Sequence, residues 1–214
     1  MNDPDIRALL YPLLQSGVYV DELPTGTTRA DVVHITPAFM HGYEVKGDGD
    51  TLQRVGSQLP CYARAYDFVT FVVTEKHLAK LLPQLPEWVG VLVATEQELR
   101  EHRPACYNAT VERAAVAGLL RLEEVKQFLL GYGLHHLPVL RRRDVAKLLQ
   151  TSHSIPLSAL AQFARERLIA RMPQRLENRA VRKAERQARP ARKTKRKKRT
   201  TTRKKSPQRV AKRT

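Results

Sequence analysis

Apolar positions recur along the chain with two different periods, and the switch between them sets the predicted elements. In residues 4–15, Ile6, Leu9, Leu10, Leu13 and Leu14 share one face at helical spacing, behind Asp3 as cap and Pro4 as first helical residue. GVYVDEL follows as a strand with Glu22 at its end, and PTGTT as a turn. RADVVHIT and HGYEVKG are two more β-rich runs, parted by the breaker TPAFM. Asp50 and Gln53 have the spacing of a capping box, but Gly56 and Pro60 argue against one unbroken helix over residues 51–66. The expectation is a turn at 51–55 and a helix from about Ser57, with Pro60 tolerated in its first turn. DFVTFVV reads as a buried strand, EKHLAKLLPQL as a short helix and WVGVLVA as a last strand. The resulting order, α-β-β-β-α-β-α-β, makes residues 1–95 a small α/β core.

The pattern changes after residue 95. Residues 96–172 contain ERAAVAGLLRLEEVKQFLL and PLSALAQFARERLIARM, both amphipathic at helical period, with RRRDVAKLLQ between them. They predict a helical appendage packed on the sheet domain. The last two segments faintly resemble a helix-turn-helix, although their connector is longer than that motif's tight turn. From about residue 173 aromatics vanish, prolines punctuate at 173, 190 and 207, and KTKRKKRTTTRKK is low in complexity. Residues 173–214 are therefore expected to be a disordered tail, of which 174–189 have the composition to prolong a charged helix.

Charge sharpens this division. The chain carries 38 Lys and Arg against 21 Asp and Glu, a net charge of +17, yet residues 171–214 alone hold 20 of the basic residues and only 2 glutamates. The rest is near neutral. Such asymmetry points to a polyanion partner, nucleic acid first and an anionic membrane surface second. The densest contact candidates are Lys193, Lys195, Arg196, Lys197, Lys198, Arg199, Arg203, Lys204 and Lys205. Cys61 and Cys106 have no metal-binding spacing and suit a reducing cytoplasm. The start, MNDPDIRALL, is acidic where a signal peptide needs basic residues, and no run nears the ~20 apolar residues of a membrane helix.

The candidate chemistry lies between Glu22 and Tyr62. Asp31 opens one strand, and after twelve intervening residues comes Glu44-Val45-Lys46 inside another. Period-2 geometry puts Glu44 and Lys46 on one face of that strand, Tyr43 and Val45 on the other. Charges in the middle of a small sheet are costly unless something pairs them. Carboxylates from adjacent strands suit a hard divalent cation, and a neighbouring lysine suits a water and a phosphate's developing charge.

On these residues the sequence resembles the PD-(D/E)XK nuclease superfamily, with Asp31, Glu44 and Lys46 as its D…ExK signature. Gln58-Leu59-Pro60-Cys61-Tyr62 is similar to the Q-L-x-x-Y element of some members, where it helps align the lysine or the DNA. The run from ADVVHITPAFMHGYEVKGDGDTLQR to DFVTFVV looks like a family of small bacterial and phage proteins of this superfamily. Two departures stand out: Ala30 replaces the proline of the superfamily's name, and Pro60 interrupts the glutamine–tyrosine element. The resemblance implies a restriction-endonuclease-like core and Mg²⁺-dependent hydrolysis of DNA phosphodiesters, endonuclease or resolvase-like, with Mn²⁺ as a substitute. It implies Asp31, Glu44 and the Val45 carbonyl as metal ligands with Glu22 as a further candidate, Lys46 acting on water, and Gln58 in support. Arg54 and Tyr62 would touch nucleic acid. A cytoplasmic setting, in a bacterial cell or phage-infected host, goes with it, and a homodimer is common in the superfamily.

Plainer readings stand beside these. Glu22 also reads as a solvated strand end, Asp50 as a helix cap, Asp48 as a turn residue, Arg54 as an exposed arginine paired with water. Tyr62 shares a helix face with Gln58 and suits a core role equally. Trp88 reads as core, and His135-His136 as a loop. Two rival functions remain: a non-catalytic nucleic-acid-binding protein on a nuclease-like scaffold, and a defence or toxin–antitoxin partner that binds protein through its helical region.

Overall fold

In the computed structural model, which describes residues 1–134, 139, 141–152, 154–174 and 177, six strands form one mixed sheet, β1 to β6 in sequence order. They are β1 (Val18–Thr25), β2 (Thr28–Ile35), β3 (Met40–Lys46), β4 (Phe68–Thr74), β5 (Gly90–Ala94) and β6 (Leu99–Arg103). The first three make an antiparallel meander, β3, β4 and β5 run parallel, and β6 returns antiparallel to β5. The helices among the described residues are α1 (Asp3–Leu10), α2 (Val55–Ala63), α3 (Glu75–Leu81), α4 (Arg113–Gly118), α5 (Leu122–Leu130), α6 (Arg142–Thr151) and α7 (Leu157–Ala170). The fold is mixed α/β, in the α-β-β-β-α-β-α-β order that the periodicity predicts. None of these helices is long and apolar enough to cross a membrane.

The connectivity decides which helix lies over which face. Both β3–α2–β4 and β4–α3–β5 step the same way across the sheet, so right-handed crossovers put α2 and α3 on the same side. There Val55, Leu59 and Tyr62 of α2, with Leu81 of α3 and Leu168 of α7, pack on Val33, Ile35, Met40, Phe71 and Val73. Trp88 packs against the same core. The opposite face is covered by α1, whose Ile6 and Leu10 meet Val32, Tyr43, Val45 and Val72. The four C-terminal helices gather a core of their own, with Val116, Leu129, Leu149 and Leu160 among its buried residues.

Several boundaries differ from expectation, each for a local reason. Asn2, not Asp3, caps α1: its side chain accepts the Asp5 N–H at 3.1 Å, and Asp5 accepts the Asn2 N–H at 3.2 Å. The helix tightens into a 3₁₀ turn at Tyr11–Leu13 around Pro12, which leaves Leu13 exposed while Leu14 stays buried. Asp50 does not cap α2; its carboxylate accepts the Gly47 N–H at 2.8 Å and closes the turn after β3. Starting at Val55, two residues before Ser57, α2 carries Pro60 in its interior rather than its first turn. Gly56 and Pro60 are both exposed, so the carbonyl deprived of an N–H partner meets water.

Past residue 95 two further corrections apply. The sheet continues there: β6, LREHR, is a charged and largely exposed edge strand without apolar alternation. The predicted helix over ERAAVAGLLRLEEVKQFLL is two, α4 and α5, parted after Gly118; Glu124 accepts the Arg121 N–H at 2.7 Å to start the second. Residues 178–214, with every basic tail candidate, and the His135-His136 pair lie outside the described residues.

Candidate active site

The site forms where β2 and β3 part. Their ladder pairs Ile35 with Met40 through to Val32 with Tyr43, whereas β3 stays paired with β4 as far as Lys46 and Val73. At the parting point the regular alternation of β1 and β2 slips. Val20 and Leu23, an odd number of residues apart, both face the α2 side, as do Val33 and Ala30. Between them lie Glu22 of β1 and Asp31 of β2, where the ladder passes from the Asp21–Val32 pair to Leu23–Ala30. Glu22 takes up the slip with φ +54°, a left-handed backbone that a non-glycine residue adopts at a cost of about 1 kcal/mol or more. Asp31 is thereby turned toward β3, where Oδ2 accepts the Val45 N–H at 2.8 Å in place of a backbone carbonyl. The N–H and C=O of a strand residue leave on the same side, so the Val45 carbonyl points into the same gap.

One residue along β3, Glu44 points to the α2 side and is 1% exposed. Both oxygens are engaged: Oε1 accepts from Lys46 Nζ at 2.6 Å and Gln58 Nε2 at 2.5 Å, and Oε2 accepts one bond, from the Tyr62 hydroxyl at 2.6 Å. Gln58 and Tyr62 reach it together because they lie four residues apart on the inner face of α2. The Tyr62 hydroxyl also lies 2.8 Å from the Arg29 carbonyl, a second acceptor for its single proton. Burial, reinforced by the Glu44 charge, pushes the Tyr62 phenol far above its ordinary value. Burial, then the charge of Glu44, pushes the Asp31 carboxyl up to about 7, against the opposing pull of the Val45 N–H, Arg7 and Lys46. Gln58 Oε1 is buried and has no hydrogen-bond partner.

In front of this cluster opens a cleft of about 410 Å³, lined among others by Arg7, Glu22, Arg29, Asp31, Arg54 and Gln58. Glu44 is not part of the lining; Gln58 connects it to the cleft. The two carboxylates, Lys46, the Val45 backbone, Gln58, Tyr62 and Arg54 are thus brought to one locality. Glu22 arrives there too, from the fifth position of β1 rather than its end, but its carboxylate is already engaged. Arg7 Nη2 lies 3.1 Å from Oε1 and Arg29 Nε 3.6 Å from Oε2.

Arg7 is the residue that sequence reasoning missed. From α1 it donates to the Asp3 carboxylate at 2.5 and 2.9 Å and to the Asp31 carbonyl at 2.8 Å. It also lies 3.7 Å from Asp21 and 3.5 Å from the Asp31 carboxylate. Burial opposes its charge, but the surrounding carboxylates, led by Asp3, raise its pKa well above the ordinary arginine value. Within α1 the only signal was its i,i+4 spacing from Asp3.

The donor set suits a hard divalent cation. No group of three or more His, Cys, Asp or Glu side chains among the described residues is placed to hold a metal. Two carboxylates are present, however, and the bare amide oxygen of Gln58 and the Val45 carbonyl are neutral oxygens of the kind Mg²⁺ takes. Burial and the Glu44 charge hold the Asp31 proton to about 7, and a cation bound beside it would favour the ionised form.

Fold and site together define a mixed α/β protein with a buried carboxylate–lysine pair under a polar, charge-rich cleft. Residues 12–195 match the family model described as bacteriophage P4 protein cII. The chain belongs to that family. A solved structure of a protein of unknown function from Silicibacter pomeroyi superposes with a TM-score of 0.37 and 21% identity, covering 54% of this chain and 74% of that one. So distant a likeness bears on neither function nor site. No curated protein matches the chain.

Proposed function

We propose that the cleft is the centre of a divalent-cation-dependent nuclease acting on DNA, of the PD-(D/E)XK type, with the basic C-terminal stretch supplying sequence-independent grip. The observation that carries this reading is the convergence of Lys46, Gln58 and Tyr62 on Glu44, beside an Asp31 turned toward the same strand. Asp31 and Glu44, with Gln58 Oε1 and the Val45 carbonyl, would hold Mg²⁺ or Mn²⁺. When bound, such a cation polarises a phosphoryl oxygen and makes a water acidic enough to attack at neutral pH.

The protein's own part is positioning. Tyr62 and Gln58 keep Glu44 from swinging, and Glu44 keeps the Lys46 ammonium in place. From there the Lys46 ammonium would orient the attacking water by a hydrogen bond to its oxygen and would offer a positive charge to the phosphate as negative charge builds, while the proton the water loses passes to bulk solvent. Arg54, exposed at the N-terminus of α2 and lining the cleft, adds a phosphate contact.

A second reading, a DNA-binding scaffold without chemistry, draws on Arg7, which already neutralises part of the carboxylate cluster. Supercoiled plasmid separates the two. The nuclease reading expects nicking with Mg²⁺, none with EDTA, and none from Glu44→Gln or Lys46→Ala proteins that still bind DNA. Intact plasmid with every divalent cation, alongside undiminished DNA binding, would establish the scaffold instead.

A further inference from the structure

We infer that Arg7 stands in for a second divalent cation, so that the site accommodates one diffusible metal ion rather than two. The inference rests on the nuclease reading above and deepens it. Two-metal phosphodiesterase centres place their ions about 3.5–4 Å apart and bridge them with carboxylate oxygens. Here one carboxylate oxygen of Asp31, Oδ1, already faces a cation of the chain. The Arg7 guanidinium lies 3.5 Å from Asp31 Oδ1 and 3.1 Å from Glu22 Oε1, and donates to the Asp31 carbonyl at 2.8 Å. Its remaining edge is bound to Asp3 at 2.5 Å. A guanidinium cannot lose its charge in a protein, so this cation is permanent. At Glu44 the arrangement differs: its donors are Lys46, Gln58 and Tyr62, and the Gln58 Oε1 is buried and bare. One cation position is therefore occupied by the chain itself and one is left for an ion from solution.

The backbone adds independent support. Glu22 is the only non-glycine residue among those described with a positive φ, and strained positions persist where their surroundings over-determine them. The strained residue's carboxylate meets Arg7 and Arg29. Glu22 then acts as a positioning residue for the arginine, not as a metal ligand. The same arrangement makes Arg7 more than a helix-surface charge. It anchors α1 to β1 through Asp21 and Glu22 and to β2 through Asp31.

Counting bound Mn²⁺ on the full chain by electron paramagnetic resonance and calorimetry tests this. The expected result is one tight ion per chain for the natural protein and for Arg7→Lys, and two for Arg7→Met, which frees Glu22 and Asp31 while keeping an unbranched apolar stem as far as the position of Nε. Spin coupling between neighbouring ions in Arg7→Met would give a signature that no loosening of the fold imitates. Two ions on the natural protein, both lost in Glu44→Gln, would overturn the role of Arg7 and leave the nuclease reading standing. No ion at all on the natural protein would overturn both. A folded Arg7→Met protein that still binds one ion would overturn the inference as well. If Arg7→Met does not fold, the counts for the natural protein and Arg7→Lys decide the matter.

Discussion

Replacing Asp31 by asparagine should make the metal-free protein more stable, and increasingly so as the pH rises. The Asp31 carboxyl is displaced from an ordinary 3.8 to about 7 by burial and by Glu44. At about 1.4 kcal/mol per pH unit of displacement, the ionised side chain costs the fold about 4 kcal/mol. The sign follows from proton counting. Between pH 4 and 7 the folded protein holds a proton that the unfolded chain has released, so stability falls as the pH rises through that window. Integrated between pH 5 and 8, the loss attributable to Asp31 is on the order of 2–3 kcal/mol. Asparagine carries no such titration, and its carbonyl oxygen can still accept the Val45 N–H. Urea denaturation in EDTA at pH 5, 6, 7 and 8 reads the effect as a gap between the two proteins that widens with pH. Adding Mg²⁺ at pH 8 should then close the gap from the natural protein's side alone, because the cation stabilises the ionised carboxylate. Parallel stability curves for the two proteins across pH 5–8 would refute the reasoning: Asp31 would then be an ordinary solvated carboxylate, not one held in need of a cation.

Two further outcomes are expected. Lys46→Met leaves Glu44 buried without its counter-charge and should cost about 3–5 kcal/mol in urea denaturation, whereas the double variant Glu44→Gln/Lys46→Met should recover most of that loss; equal losses in both would mean the pair is not electrostatically coupled. Removing residues 178–214 should weaken DNA binding alike on every sequence and flatten its salt dependence. If the basic stretch engages ~6–10 phosphates, the full chain's affinity should fall ~10³–10⁵-fold between 50 and 200 mM salt in fluorescence anisotropy. An unchanged slope would remove that stretch from the binding account.

Much of this arrangement was legible before any coordinates. Glu44 and Lys46 share a face because strand residues two apart must, and Gln58 and Tyr62 share one because helix residues four apart must. Those two local rules already bring the lysine and the helix donors to the same carboxylate, provided α2 lies over that face. The order of elements was equally readable, since apolar alternation and helical spacing are properties of short windows. β6 escaped because its residues are charged and exposed, so no burial pattern marks LREHR as a strand. Asp50 was misread because a capping-box spacing precedes α2 without belonging to it, while the carboxylate found the nearer Gly47 N–H.

What only the tertiary structure decided is what happens between elements. Nothing in the segment around Glu22 announces a left-handed backbone, because the slip arises from two strands changing alternation together where β3 separates from β2. Nor does DPDIRALL show that Arg7 will reach Asp21, Glu22 and Asp31; its nearby partner Asp3 is visible at four residues, the others lie 14 to 24 residues away. Local periodicity is set by bond geometry and appears in any window of the chain. The displaced pKa of Asp31 and the charge that faces it depend on burial and on Coulomb forces between segments, which take a value only once α1, β1, β2 and β3 are packed together.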